Sequence, residues 1–283
     1  MKLRVVHRTG YQYSAPVMES VNEARLMPTS SDGQVCMRFE IKTFPAGKLQ
    51  LHYDFYRNQV HTLEVSSIHQ SLTVEAHSEV VTVPGRGHPP ETPTCPRAEL
   101  AGCIRFTECY DFLQPTSLAE LTPEVWRQAL DIVGDEQDGW QMALALMTWV
   151  HREFAYEPGS TQIKIQIAEL LRNRRGVCQD FAHVLLALCR SVKIPARYVS
   201  GYLYNGPVDQ LRGAQASHAW VEVYLPGFGW RGLDPTNLRQ PDEHYIKVAH
   251  GRDYGDALPL CGHYKGGGSQ ILTVEVSVEL MAE

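Results

Sequence analysis

Apolar and polar residues alternate along several short stretches of the first 83 residues. The opening residues 2–13 show this pattern, and so do four later stretches: 35–44, 49–56, 59–66 and 72–83. Alternation with a period of two is typical of strands that bury one face. Several short strands at close spacing predict an all-β, sandwich-like or small-barrel domain for residues 1–83.

A proline-rich connector follows this domain. Residues 84–96 contain five prolines and two glycines, which excludes a regular helix or a central strand. We therefore predict a linker with short helices over 84–121. Thr122 followed by Pro123 is a typical helix start, and a helical period over 140–154 predicts a second helix. The sequence thus predicts a second domain over 122–270, followed by an alternating C-terminal strand within 271–283.

A cysteine begins one amphipathic helix of this second domain. After Cys178, the apolar residues recur at spacings of three and four: Phe181, Val184, Leu185, Leu188 and Val192. Gly176 gives the chain a flexible approach to the helix, so Cys178 falls at or near the first turn. The free N–H groups and partial positive charge of a helix N-terminus favour a thiolate, and they can also receive an oxyanion. Cys178 is therefore a candidate nucleophile, although an isolated cysteine in a helix is more often a buried apolar residue.

Two later segments carry a base and an orienting acid. From His218 the chain alternates, with His218, Trp220 and Glu222 on one face of a predicted strand. A second short strand ends at Asp234, before Pro235. An antiparallel hairpin through the turn at 226–229 would bring His218 and Asp234 close together. A helix N-terminus facing this hairpin would complete a Cys178–His218–Asp234 arrangement, in which the acid orients the base and the base activates the thiol.

Three motifs occur in order: GVCQDFAH at 176–183, SHAWVEVYLPGFGW at 217–230 and GLDPTN at 232–237. Together they resemble the bacterial transglutaminase-like superfamily of papain-type cysteine enzymes. The resemblance implies an α+β fold with a papain/transglutaminase-like catalytic core, in which the helix bearing the cysteine packs on an antiparallel sheet. An all-β, sandwich-like N-terminal domain would precede this core. The resemblance also implies that Cys178 is the nucleophile, His218 the general base and Asp234 the orienting residue.

Three further residues are candidates for contact with substrate. Tyr156 follows a predicted helix in a loop that the resemblance places beside the cleft, but an aromatic residue packed under a loop is an equal alternative. Gln179 follows the cysteine and could hydrogen-bond in the cleft. Trp220 shares the face of His218 and either walls the cleft or packs. Asp180 complements the helix dipole, and His183 is a weaker candidate base because it lies on a different helical face from Cys178.

Composition limits the classes of partner. A net charge of −6 and the absence of a basic run longer than Arg174-Arg175 argue against nucleic acid. No apolar stretch approaches the ~20 residues of a membrane span, and the N-terminus has no apolar signal segment. Seven scattered cysteines fit a reduced, cytoplasmic protein better than a disulfide framework. We expect no cofactor and no metal, since Cys95, Cys103 and Cys109 lack the close ligand pairs of structural zinc sites.

The function predicted from these features is thiol-dependent acyl transfer at an amide bond of a peptide or protein substrate. Hydrolysis, by a cysteine protease or amidase, is the first expectation. The same triad would also serve a cross-linking protein-glutamine gamma-glutamyltransferase, and a non-catalytic binding module is the third alternative. The sequence leaves the exact substrate and the oligomeric state open.

Overall fold

The computed structural model describes residues 1–31, 33–85, 92–158, 166–206 and 217–281. The strands are β1 Lys2–Val17, β2 Glu19–Ala24, β3 Gln34–Phe44, β4 Lys48–Tyr53, β5 Gln59–Val65, β6 His69–Thr82, β7 Ala155–Tyr156, β8 Arg175–Gly176, β9 Ala196–Leu203, β10 His218–Leu225, β11 Gly229–Leu233, β12 Tyr245–Gly251, β13 Leu260–Lys265 and β14 Gln270–Leu280. The helices are α1 Arg97–Leu100, α2 Thr107–Tyr110, α3 Pro123–Val133, α4 Gly139–Glu153, α5 Ile167–Asn173 and α6 Cys178–Ser191.

The N-terminal half forms two antiparallel four-stranded sheets. Their strand orders are β14-β1-β6-β3 and β13-β2-β5-β4. Alternate residues of β1, β2, β5 and β6 are buried, and they contribute to a shared core that includes Val17, Leu63 and Leu72. The edge strands β13 and β14 come from the C-terminal end of the chain. The antiparallel register of β14 against β1 runs from Leu3 opposite Leu280 to Tyr13 opposite Gln270.

The second half packs helices on a four-stranded sheet of order β11-β10-β9-β12. Thr122 caps α3 by accepting a hydrogen bond from the backbone N–H of Val125, and Pro123 occupies the first turn. Helix α6 is buried along most of its length and contacts α3, α4, β9 and β10. Phe181 and Leu185 of α6 pack with Val221 of β10 in one core. This central helix fixes the position of the thiol at its N-terminus.

Strand β12 joins the two halves. The Gln34 side chain donates to the backbone carbonyl of Lys247 (2.8 Å) and accepts from its N–H (2.8 Å). Asn58 makes the same pair of contacts with the backbone of His250, at 2.8 and 2.9 Å. These side chains hydrogen-bond backbone groups of β12, which is an edge of its sheet.

The predicted α+β architecture is confirmed: a core of mixed helix and sheet accompanies an all-β region of antiparallel sheets. The mixed composition of residues 237–260 favours irregular structure with a short helix. The segment does contain a short 3-10 helix, Tyr254–Asp256, but it also contains β12. The polar, glycine-containing segment 205–214 favours a hairpin loop, and most of it lies outside the described residues. Residues 86–91 of the predicted linker also lie outside them. Across the described ranges, the helices are all too short or too polar to cross a lipid bilayer.

Candidate active site

Cys178 is the first residue of α6, and the chain before it is tightly packed. The Asp180 carboxylate accepts a hydrogen bond from the backbone N–H of Val177 (2.9 Å) and so caps the helix from inside its first turn. A Cβ atom at Gly176 would lie 2.5 Å from Asp180 Oδ2, so glycine is required there for space. The thiol is 9% exposed and faces a cavity of about 280 Å³.

One wall of this cavity is held by the short parallel strands β7 and β8. Tyr156 of β7 lies opposite Gly176 of β8. The N–H of Glu157 donates to the Gly176 carbonyl (2.9 Å), which extends the pairing by one bond. The chain just before Cys178 is therefore tied to the segment that carries Tyr156.

His218 and Asp234 form a buried pair beside the thiol. His218 begins β10, and Asp234 directly follows β11. The two strands pair from Val221 opposite Leu233 to Leu225 opposite Gly229, as the hairpin prediction requires. His218 Nε2 lies 2.8 Å from Asp234 Oδ2, and both side chains are shielded from solvent. Because Nε2 faces a carboxylate, we assign its proton there, which directs Nδ1 away from Asp234.

Five donors converge on the Asp234 carboxylate. Oδ2 accepts from His218 Nε2, the Tyr245 hydroxyl (2.7 Å) and Asn237 Nδ2 (2.9 Å). Oδ1 accepts from the backbone N–H groups of Thr236 (2.8 Å) and Asn237 (3.3 Å). Burial on its own raises the pKa of this carboxyl, but the charge of His218 and the hydrogen bonds outweigh it and hold the pKa below the ordinary value. Asp234 is therefore ionised.

The pKa of His218 is shifted in the opposite direction. Burial lowers it, but the Asp234 charge and hydrogen bond, together with the nearby Cys178 thiol, raise it above the ordinary value. His218 Nδ1 is buried and has no hydrogen bond of standard geometry within the described ranges, although it is the ring nitrogen available to Cys178. The contact with the thiol is thus looser than a full hydrogen bond. An approach that tightens only when substrate binds is common in such sites.

The predicted substrate contacts divide between two places. Tyr156 and Gln179 line the cavity together with Cys178 and His218. Trp220 does not reach it. Its indole stacks on the His218 ring (centroids 6.2 Å apart), meets Tyr245 edge-on and lines a separate cavity of about 350 Å³ between the two halves. Of the two readings that the sequence allowed for Trp220, the packed one describes its place in the structure.

Sequence reasoning missed two tyrosines of the cavity wall. Tyr198 of β9 and Tyr254 both line it, with their rings edge to face at 6.0 Å. His183 holds Tyr254 in place, because its Nε2 accepts the Tyr254 backbone N–H (3.2 Å). Burial lowers the pKa of His183 to about 4, so the ring is neutral and serves as an acceptor. Tyr198 lies on β9, a strand buried along almost its whole length, and Tyr254 lies in a segment without a periodic pattern, so no alternation marks either residue.

Among the described residues, one group offers several metal-ligand atoms close together: Asp242, Glu243 and His244. Asp242 already accepts hydrogen bonds from Arg239 (2.6 Å) and from His244 (2.9 Å). We assign no ion to it. Cys103 and Cys109 pack with Leu113 in a small apolar cluster.

This geometry defines a class of protein. A thiol lies at the N-terminus of a central helix and faces a histidine–carboxylate pair on an adjoining antiparallel sheet. Papain-type cysteine enzymes have this arrangement. The family models agree with this class. Residues 127–235 match the transglutaminase-like superfamily, and residues 3–81 match the bacterial transglutaminase-like N-terminal region. The chain belongs to the transglutaminase-like superfamily.

Relatives extend over the whole chain. An uncharacterized protein of Mycobacterium leprae is 34% identical over 284 residues, which cover 99% of each chain. A candidate cysteine protease from Cytophaga hutchinsonii has the same fold, with a TM-score of 0.77 at 23% identity over 100% of this chain and 92% of its own. A protein-glutamine gamma-glutamyltransferase of Pseudomonas aeruginosa is 34% identical over 107 residues, which cover 36% of this chain and 16% of that protein.

Proposed function

We propose that the chain catalyses thiol-dependent acyl transfer at an amide bond of a peptide or protein, with hydrolysis as the reaction. The observation that carries this proposal is the buried, charged His218–Asp234 pair next to a thiol at a helix N-terminus, with Cys178 and His218 lining one cavity. A buried ion pair is costly unless it is well paired and hydrogen-bonded. Its presence beside a nucleophile supports a chemical role.

In the proposed reaction, the Cys178 thiolate attacks the carbonyl carbon of the amide. The oxyanion that forms is stabilised by N–H groups at the start of α6, including the backbone N–H of Cys178. The His218 imidazolium then protonates the leaving nitrogen, the C–N bond breaks, and a thioester remains. A water molecule, deprotonated by His218, attacks the thioester and releases the carboxylic acid and the thiol. Asp234 orients the imidazole and stabilises its charged form throughout.

Amine transfer is the second candidate. Here a lysine or another amine replaces water in the last step, and the product is a new amide. The segment that is similar to the Pseudomonas aeruginosa gamma-glutamyltransferase favours this alternative. The triad serves both reactions equally. We put hydrolysis first because the sequence gives no sign of the second channel that an acceptor lysine would need.

The first experiment measures the reactivity of the thiol. The full chain is labelled with iodoacetamide across pH, and labelling at each cysteine is followed by mass spectrometry in wild type and His218→Ala. The ordinary pKa of a thiol is about 8.5. We expect Cys178 to be labelled rapidly well below this pH, and we expect its labelling to be slower in His218→Ala. The half-buried Cys36 and Cys261 are internal controls. Equal labelling of all three would refute the enzyme and favour a binding module.

A second experiment separates the two reactions. A peptide library containing internal and glutamine-derived amides is incubated with the enzyme, with and without an added primary amine. Hydrolysis gives new carboxylates in both conditions, whereas transfer gives amine adducts only when amine is present. Cys178→Ala is the negative control. Amine adducts that outnumber carboxylates would replace hydrolysis by transfer.

A cytoplasmic location is also part of the proposal. All seven cysteines are unpaired in the structure. Unpaired cysteines in this number are typical of proteins in reducing compartments. Fractionation of cells that express the tagged chain would test this location, and recovery outside the cytoplasm would contradict it.

A further inference from the structure

Three side-chain donors share a single oxygen of the Asp234 carboxylate. Besides His218 Nε2, Oδ2 accepts from the Tyr245 hydroxyl at 2.7 Å and from Asn237 Nδ2 at 2.9 Å. Tyr245 comes from β12 and Asn237 from the loop after β11, so two separate elements converge there. Tyr245 is 5% exposed and Asp234 is fully buried, so water does not screen these contacts.

A donor aimed at a carboxylate oxygen withdraws charge from it and lowers its affinity for a proton. The same donor lowers the electrostatic support that the carboxylate gives to a neighbouring imidazolium. Asp234 must hold His218 in place and stabilise its charge, yet an imidazolium that is stabilised too strongly is a poor acid for the leaving nitrogen. The hydrogen bonds from Tyr245 and Asn237 reduce the charge on Asp234 Oδ2 and so oppose an excessive stabilisation of the imidazolium.

We propose that Tyr245 and Asn237 are positioning residues that act through Asp234, and that their hydrogen bonds limit how strongly Asp234 stabilises the His218 imidazolium. This inference rests on the proposed function, since it assigns these residues a part in the same proton transfer. A purely structural role predicts no direction for a change in the acidity of His218. This proposal does predict one: removing either donor makes His218 a weaker acid.

Other charged groups surround Tyr245, and four of them form ion pairs with one another. On the side of the cavity between the two halves they are Arg239, Asp242, Glu222, Glu243 and Lys247. Arg239 pairs with Asp242 (2.6 Å), and Lys247 pairs with Glu222 (2.7 Å). In the described parts of the chain, the side-chain donors on Asp234 are the three already named, so replacing one leaves the carboxylate held by the other two and by two backbone N–H groups.

The test uses Tyr245→Phe and Asn237→Ala in the full chain, with Tyr202→Phe as the matched control. Tyr202 is also a buried tyrosine whose hydroxyl makes a hydrogen bond, to His7 Nδ1 at 3.1 Å, but it does not touch the triad. Two pH profiles are measured: the titration of the His218 imidazole by NMR of histidine-labelled protein, and the rate of Cys178 alkylation by iodoacetamide.

In Tyr245→Phe and in Asn237→Ala, we expect the His218 titration to move to higher pH by about half to one unit, which is the scale of the net contribution of one typical hydrogen bond. The midpoint of Cys178 alkylation moves to lower pH, because a more stable imidazolium favours the thiolate beside it. Tyr202→Phe leaves both profiles in place.

Unchanged profiles in both variants, or shifts in the opposite direction, would overturn the inference. If Tyr245→Phe does not fold, the Asn237→Ala profiles decide alone. Failure of the proposed function looks different: wild-type Cys178 would then label no faster than Cys261. Rapid wild-type labelling with unmoved variant profiles refutes the roles of Tyr245 and Asn237 and leaves the enzyme intact.

Discussion

Asp234→Asn removes the charge behind His218 and also replaces one acceptor oxygen by an NH2 group, which cannot accept the hydrogen bonds made at that oxygen. The exchange keeps the volume of a side chain that is fully buried. Without the carboxylate, burial becomes the dominant influence on the His218 ring, and its pKa falls from above its ordinary value of 6.5 to below it. A neutral His218 cannot stabilise a thiolate at Cys178. The variant should therefore lose the ion pair between thiolate and imidazolium at neutral and mildly acidic pH.

The expected loss follows from the ordinary acidity of a thiol. At pH 6.5 a thiol with a pKa of about 8.5 is about 1% thiolate, so labelling falls by at most about 100-fold when the ion pair is lost. An activated thiolate of low pKa is intrinsically less nucleophilic, which reduces the expected difference to between about 10- and 100-fold. For turnover the loss is larger, about 10⁴-fold for the same exchange in a serine-type triad, or about 5 kcal/mol in the barrier.

The assay is the iodoacetamide profile of Cys178 between pH 5 and 9, with turnover added once a substrate is known. The control is Asp131→Asn, which neutralises an exposed aspartate on α3. A labelling profile of Asp234→Asn that overlays the wild-type profile would show that Asp234 does not support the ion pair, and the reasoning would be refuted.

Stability gives a second measure of the same pair. The raised folded-state pKa of His218 stabilises the fold fully below its unfolded pKa of 6.5, and this stabilisation is lost as pH rises through the folded-state pKa. The depressed pKa of Asp234 stabilises the fold above its unfolded value of 3.8. The difference in Tm between wild type and Asp234→Asn should therefore be largest between about pH 4 and 6.5 and smaller near pH 10. Equal differences at pH 5 and 10 would show that the pair is not charged in the folded state.

Three further changes test the scaffold by urea unfolding. Gly201→Ala places a Cβ atom 2.1 Å from a backbone carbonyl oxygen of β12 and should prevent correct folding. The control Gly102→Ala, with open space around the added atom, should fold normally. A normally folded Gly201→Ala would refute this prediction. Glu222→Gln should cost about 3 kcal/mol at pH 7 by leaving buried cations unpaired. Burial lowers the pKa of Lys247 to about 8, below its unfolded value of 10.5. The unfolded state therefore binds more protons between these two pH values, and the stability of the variant should recover as pH rises through them. A stability that does not change with pH in this range would contradict the prediction. Thr122→Ala should cost about 1 kcal/mol through the lost cap of α3, and an unchanged midpoint would show that the cap contributes nothing.

Local patterns in the sequence were enough to predict most elements and the three central side chains. The alternation of apolar residues identified the strands of the N-terminal domain, and the Thr122-Pro123 start identified α3. The turn between β10 and β11 determined which residues of the two strands pair, so the proximity of His218 and Asp234 followed from neighbours in the chain. These features depend on residues a few positions apart, and a sequence displays such relationships directly.

Contacts between distant segments could not be predicted in this way. Strand β14 was recognisable, but its pairing with β1 joins residues more than 250 positions apart and depends on where the second half carries the chain. The face of Trp220 was predicted, whereas its partner Tyr245 was not, because that partner lies on β12 in a segment that shows no periodicity. Tyr245 reaches Asp234 only after β12 has paired with β9. The sequence by itself therefore determined which residues could form the triad, while the packing of remote strands decided which side chains surround Asp234.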